Sequence, residues 1–226
     1  MQKIAIIVAG GSGSRMQSTV PKQFLLLNGK PVLWYTIDTF LRSFPDMKLV
    51  VVLPESNRAE GESIIAEFTE QNRITTVNGG SSRFHSVKKG LQTIRVPSVV
   101  FVHDAVRCLV TIDLIRKCFY QTIEKGNAVP AVASTDSVRL EQNGHNIFLE
   151  RDNVRIVQTP QTFLSANLLP AFEQVYSPLF TDEANVAEQF GKQIFLIEGE
   201  YSNIKITRPV DLIVAEHILK ERMKNK

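Results

Sequence analysis

The segment Ala9-Gly10-Gly11-Ser12-Gly13-Ser14-Arg15-Met16, with Pro21-Lys22-Gln23 shortly after it, sets close-spaced glycines beside two cations. Glycines let a backbone come close to a ligand, and successive free N–H groups cradle phosphate oxygens. Arg15 and Lys22 would add two full charges. A tight strand-to-helix turn with two solvated cations is the other reading of these residues. Two familiar phosphate loops fail on spacing. No Gly-x-x-x-x-Gly-Lys-Ser/Thr occurs, and Met16 stands where a dinucleotide fingerprint needs its third glycine. The end of the second strand, Leu53-Pro54-Glu55, lacks the acidic ribose ligand of a plain NAD site.

More polar groups recur further along. Asn78-Gly79-Gly80-Ser81-Ser82-Arg83 with Ser86 could offer backbone groups and a hydroxyl to a base, or simply cap a helix. Asp104 and Arg107 follow an apolar run, and Arg151, Thr159, Thr181 and Lys205 are scattered downstream. Read alone, Arg151 is a solvated charge and Lys205 a surface lysine before Thr207-Arg208-Pro209, a helix start. His85, His145 and His217 form no set. His-Glu-x-x-His and Gly-x-Ser-x-Gly are absent, and so is the Asp-x-Asp triplet expected of a sugar-nucleotide glycosyltransferase. His103 could position Asp104 or be a satisfied core histidine.

These residues need a scaffold that gathers them. Residues 3–8, 48–53, 98–103 and 127–132 are short runs rich in Val, Ile and Ala, which read as strands buried on both faces. Helical spacing fills the intervals at 32–41, 57–69, 82–91 and 111–124, so the expectation is α/β: a doubly wound, mostly parallel sheet with ligand loops along its carboxyl edge. Residues 138–148 break the alternation with a turn signal, Gln142-Asn143-Gly144, and predict a β-hairpin arm. A lone hairpin is marginal in water, so a second copy of the chain is the expected cover, making a homodimer. Helices near 165–175 and 182–190, a strand at 193–198 and a last helix from Pro209 complete the pattern. No linker divides the chain, so a single domain over 1–226 with an arm at 136–152 is expected.

The 226 residues, 43% of them hydrophobic, can build one sizeable core. A formal charge of +3 excludes the bulk basic field of a non-specific nucleic-acid binder. The apolar runs are too short for a membrane span, and two cysteines without CxxC spacing, Cys108 and Cys118, argue against a disulfide framework or structural zinc. With no secretory signal at the first residues, a cytoplasmic protein is expected.

The ordered motifs resemble a known family. Gly-x-Gly-x-Arg-Met with Pro21-Lys22-Gln23 is similar to the signature of sugar-phosphate and polyol-phosphate cytidylyltransferases. The Gly80 loop, Val102-His103-Asp104-Ala105-Val106-Arg107, Gln158-Thr159-Pro160-Gln161, Thr181-Asp182-Glu183-Ala184 and Asn203-Ile204-Lys205-Ile206-Thr207-Arg208-Pro209 follow in family order along nearly the whole chain. The last two segments look most like the branch acting on 2-C-methyl-D-erythritol 4-phosphate in isoprenoid precursor synthesis. A ribitol-5-phosphate enzyme and a non-catalytic CTP-binding domain are the alternatives.

The resemblance implies a Rossmann-like nucleotidyltransferase that uses CTP and a polyol phosphate, with Mg²⁺ held mainly by the CTP phosphates and no protein metal site. It implies a catalytic set of Arg15, Lys22, Arg151 and Lys205, in which Arg15 and Lys22 stabilise the transition state. Ala9, Gly10, Gly11, Gly13, Gly80, Ser81, Ser86, Asp104 and Ala105 would hold the nucleotide. Asp104, Arg107, Ser137, Arg151, Thr159, Thr181 and Lys205 would hold the acceptor, with Ser137 and Arg151 serving the partner subunit. Asp104 could meet hydroxyls, orient Lys205 or approach the metal. Three positions depart from the family: Ser81 where many relatives are acidic, Ser137 for threonine, and Cys108 for proline.

Overall fold

The computed structural model describes residues 1–10, 16 and 20–224. The Val/Ile/Ala runs form strands because β-branched side chains pack well on a pleated surface covered on both sides. In chain order the first half runs β1 (Gln2–Val8), a small hairpin of β2 (Leu26–Leu27) and β3 (Lys30–Pro31), α1 (Val32–Ser43), β4 (Met47–Leu53), α2 (Arg58–Ile65), β5 (Ile74–Asn78), α3 (Arg83–Leu91) and β6 (Ser98–Asp104). There follow α4 (Ile112–Lys125), β7 (Asn127–Ala133), β8 (Val138–Gln142), β9 (His145–Leu149), β10 (Arg155–Val157), β11 (Gln161–Leu164), α5 (Ser165–Ala171), α6 (Glu183–Gln189), β12 (Leu196–Glu198) and α7 (Pro209–Lys224).

The large sheet has the order β10-β7-β11-β6-β1-β4-β5, with β12 also paired to β7. Strands β6, β1, β4 and β5 are mutually parallel. The chain moves outward from β1 to β4 and β5, then crosses back to β6 on the other side of β1. That reversal opens a crevice at the carboxyl ends, where open α/β sheets bind ligands. The register aligns those ends, since Val8 lies opposite both Val52 and Asp104.

Helices cover both faces. On one, Leu33, Ile37 and Phe40 of α1, Ile64 of α2 and Leu114 and Ile115 of α4 pack on Ile7, Val51 and Phe101. On the other, Phe84 and Val87 of α3, Leu168 of α5 and Val186 of α6 pack on Ile6, Val100 and Phe163. Helix α4 has clear boundaries: the Thr111 side chain accepts from the Leu114 N–H (3.1 Å), and Gly126 at φ +90° ends the helix.

The doubly wound, mostly parallel sheet expected from the alternation is present. Several details differ from expectation. Strand β11 is antiparallel to both neighbours, inserted between β6 and β7. Its sequence, Gln-Thr-Phe-Leu, buries two polar side chains, of which Gln161 is hydrogen-bonded to the start of α6, so no apolar run announces it. Strand β5 carries Thr75 and Thr76 at the sheet edge and is only half-buried, which likewise conceals it. Helix α2 ends at Ile65 rather than near 69, because the Glu67 and Phe68 amides turn back to Ile64 and Ile65 in a tighter winding that tucks Phe68 into the core. Helix α5 stops at Ala171, and β12 spans only Leu196–Glu198 of the expected 193–198.

The hairpin forms where the turn signal predicts. Asn143 (φ 53°) and Gly144 (φ 77°) provide the two left-handed residues of its turn, and β8 and β9 pair only with each other. Among the described residues no helix is long and apolar enough to cross a membrane.

Candidate active site

At the crevice, Val8, Ala9 and Gly10 leave β1, Lys22 and Gln23 come from a short 3₁₀ turn, and Gly80 to Ser86 carry the start of α3. Asp104 at the end of β6 and Val106 just beyond it close the floor, and Lys205 reaches in from the loop before α7. Each wall has a local cause. Gln23 is buried and its Nε2 donates to the Ala9 carbonyl (2.7 Å), which ties the Pro-Lys-Gln turn to the first loop and directs the buried Lys22 into the cleft.

The Gly80 loop is held by Ser86, whose Oγ accepts from the Gly80 N–H (3.0 Å) and donates to the Ser82 carbonyl (2.9 Å). Ser82 caps α3 through the His85 N–H. A Cβ on Gly80 would collide with the His85 Cβ and lie 2.9 Å from its carbonyl carbon, so only glycine fits there. Ser81 is exposed, with its Oγ 3.3 Å from His85 Nδ1.

The floor is electrostatic. Asp104 Oδ1 takes Arg83 Nε at 3.1 Å and Oδ2 takes Lys205 Nζ at 2.8 Å. Arg83 in turn grips Glu183 with both terminal nitrogens, at 2.6 and 3.1 Å. Burial opposes ionisation of Asp104, but Arg83, Lys205 and Arg107 hold its carboxyl well below the usual carboxylate range. Burial also works against the Arg83 charge, and Glu183 and Asp104 outweigh it, so Arg83 stays cationic.

Behind the floor, burial pushes the His103 imidazole down to about 3. Its neutral form completes a relay: the Asp104 N–H donates to Thr159 Oγ (3.2 Å), the Thr159 hydroxyl to His103 Nδ1 (3.0 Å), and His103 Nε2 to the Arg107 carbonyl (3.1 Å). The partners dictate that tautomer.

The whole sequence gives the same answer as the site. The family model for 2-C-methyl-D-erythritol 4-phosphate cytidylyltransferase matches residues 3–221. The chain belongs to that family. A cytidylyltransferase of this name from Azobacteroides pseudotrichonymphae is 43% identical over 96% of this chain and 99% of its own length, and one from Bacteroides fragilis is 39% identical over 97% and 100%. The crystal structure of 4-diphosphocytidyl-2C-methyl-D-erythritol synthase from Anaerococcus prevotii superposes with a TM-score of 0.83 at 28% identity, covering 97% of this chain and 96% of that one. The Francisella tularensis cytidylyltransferase gives 0.77 at 32% identity, covering 96% and 99%.

Of the residues that the sequence nominates, this cytidylyltransferase brings Ala9, Gly10, Lys22, Gly80, Ser81, Ser86, Asp104 and Lys205 to one cleft. Arg15, Gly11 and Gly13 lie outside the described residues. Ala105 and Thr159 sit just beneath the floor. Arg107 spends two donors on the Asn203 and Val157 carbonyls, bracing the loop that carries Lys205. Ser137, Arg151 and Thr181 are exposed and do not line the cleft. Arg151 lies 3.7 Å from Asp152 at the base of the hairpin.

Sequence reasoning passed over Gln23, Ser82, Arg83 and Glu183 as site residues. All four stand inside the quoted motifs, so the signal was present; what sequence does not carry is the pairing of Arg83 with a carboxylate 100 positions away.

Proposed function

We propose that the chain transfers CMP from CTP to 2-C-methyl-D-erythritol 4-phosphate, giving 4-diphosphocytidyl-2-C-methyl-D-erythritol and pyrophosphate in isoprenoid precursor biosynthesis. The observation that carries the residue assignment is the convergence of Lys22, the Gly80 loop and the Asp104–Lys205 pair on one cleft at the sheet's switch point. An oxygen of the acceptor's phosphate attacks the α-phosphorus. The new P–O bond forms as the bond to the bridging oxygen breaks, and pyrophosphate leaves with that electron pair.

The attacking oxygen is already anionic, so no general base is needed, and Asp104, ionised and doubly paired, is not suited to be one. Catalysis then rests on placement and on neutralising charge. Ala9, Gly10 and the Gly80 loop hold the nucleotide, with Ser86 fixing the loop against the base. Lys22 meets the phosphates, and Arg15 is assigned to join it there. Lys205, aimed by Asp104, holds the acceptor phosphate.

The donor set fits a Mg²⁺ carried by the triphosphate. Asp104 is the one carboxylate among the described cleft residues, and magnesium keeps waters and few protein ligands. Such an ion would neutralise the charge of the phosphate chain.

The working unit we infer is a homodimer. On β8 and β9, Val138 faces Leu149 and Leu140 faces Ile147, so one side of the hairpin is an apolar stripe, and Leu140 and Ile147 are exposed. A second copy covering that stripe would bring Ser137 and Arg151 to the partner's cleft, which explains why neither lines its own. The buried free thiols of Cys108 and Cys118 suit the reducing cytoplasm in which we place the enzyme.

The decisive experiment is pyrophosphate release from CTP and Mg²⁺, run in parallel with 2-C-methyl-D-erythritol 4-phosphate and ribitol 5-phosphate. Release with the first alone is expected. Release with the second alone would keep the chemistry and change the acceptor, and no release with either would leave a CTP-binding domain.

A further inference from the structure

Glu183 has no exposed surface and does not line the cleft, yet it holds the only guanidinium among the described cleft residues. Strand β11 sets it there: Gln161 donates to Asp182 Oδ2 (2.9 Å) and accepts from the Ala184 N–H (2.7 Å), gripping the start of α6 on both sides of Glu183. The charges then alternate inward across four elements, from Glu183 to Arg83, Asp104 and Lys205, with contacts of 2.6, 3.1 and 2.8 Å.

We propose that Glu183 is a positioning residue which, by clamping Arg83, keeps half of Asp104 available to aim Lys205 at the acceptor phosphate. The guanidinium is a planar fork. With both terminal nitrogens committed to Glu183, only Nε is left for Asp104, and Asp104 keeps its second oxygen for Lys205. Released from Glu183, Arg83 would close on Asp104 with two nitrogens, and Lys205 would lose its partner. An ion pair buried this deeply adds little net stability over an apolar pair of similar volume. Its contribution lies in geometry.

The inference rests on the proposed task of Lys205, so one readout is chosen to be independent of it. The variants are Glu183→Gln and the double variant Arg83→Gln/Glu183→Gln, which removes both buried charges together. Three quantities are measured: labelling of Lys205 by an amine-reactive anhydride, followed by peptide mass spectrometry; kcat and KM for the acceptor with the CTP dissociation constant; and the thermal midpoint. In Glu183→Gln, Lys205 should label several-fold faster and kcat should fall about tenfold or more, while CTP affinity stays within about twofold.

The double variant removes the guanidinium that would crowd Asp104, so it should recover the midpoint and return Lys205 labelling to near the wild-type rate. Unchanged labelling and kcat in folded Glu183→Gln overturn the proposal, as does a double variant that labels Lys205 as fast as Glu183→Gln does. If Glu183→Gln does not fold, Glu183→Asp, which keeps the charge and shortens its reach to Arg83, takes its place: faster Lys205 labelling with a lower kcat supports the proposal, and wild-type labelling and kcat overturn it. Wild-type protein inactive with the acceptor would refute the reading of Lys205, and the labelling would still decide the coupling.

Discussion

Lys205 and Ser81 line the same cleft but face opposite fates on truncation. Lys205 holds a charge against Asp104 and, in the proposed reaction, against the attacking phosphate, so Lys205→Ala should lower turnover by about 10²–10³-fold, as for loss of one transition-state donor. CTP affinity should change far less, which steady-state kinetics beside a CTP titration will show. Ser81→Ala, at an exposed hydroxyl whose nearest partner is His85, should leave both within about twofold.

His103 makes a different prediction. Its pKa falls from 6.5 in the unfolded chain to about 3 in the fold, so below 6.5 the unfolded state binds a proton that the native state refuses. Stability is therefore full above about pH 6.5 and declines as pH falls, by about 2–3 kcal/mol at pH 4.5 from this group alone. Glu183, whose carboxyl is raised by burial against the pull of Arg83, acts in the opposite sense above its ordinary value, and Asp104 adds its own loss only below about 4. Denaturant titrations from pH 7 to 4.5 check this: His103→Asn should show a flatter dependence than wild type, and parallel curves would refute the assignment. The sequence left His103 between a positioning role and a core role; the structure gives it both, and only the three-bond relay could show that.

The glycine before α3 and the hairpin after β7 are the elements on which the site depends most. Gly80→Ala must push the loop off His85, so CTP binding should weaken by about tenfold or more even where the fold survives, measured by calorimetry beside circular dichroism. In the hairpin, Ile147→Asp places a charge in the centre of the apolar stripe. The expected result is a folded monomer by analytical ultracentrifugation with little turnover; a dimer with full activity would remove the arm from the site. Both elements were legible in the residues, the loop from its glycines and the arm from Gln142-Asn143-Gly144. Strands β5 and β11 were not, because β5 lies at a half-exposed edge and Gln161 of β11 is satisfied by bonds to a distant helix that no local pattern announces. The consequence was real: β11 is the element that seats Glu183.

Across the whole molecule, the cleft joins residues from five stretches of chain, so filling it should couple to global stability. Saturating CTP at about 100 times its dissociation constant stabilises the native state by about 2.7 kcal/mol, which for a chain of this size is about 5–10 °C in the thermal midpoint. Scanning calorimetry at graded CTP tests this, and a midpoint that ignores the nucleotide would argue against a preformed site. At this scale the sequence was most informative, since alternating buried runs and helices determine a doubly wound sheet. The shape of the switch point follows from strand order, which is a product of long-range pairing.

The late insertion of β11 bears on how the protein is made. Strands β1, β4, β5 and β6 have all left the ribosome once residue 104 is clear of the exit tunnel, and they can pair with one another through successive crossovers. The nucleotide side of the cleft is thus encoded first. β11, with Glu183 and Lys205 behind it, comes later in synthesis, and β11 must then dock along an edge of β6 that has been waiting open. A nascent chain at that stage carries the unpaired edge of a strand with Val99 to Val102 at its centre, the kind of surface that chaperones cover.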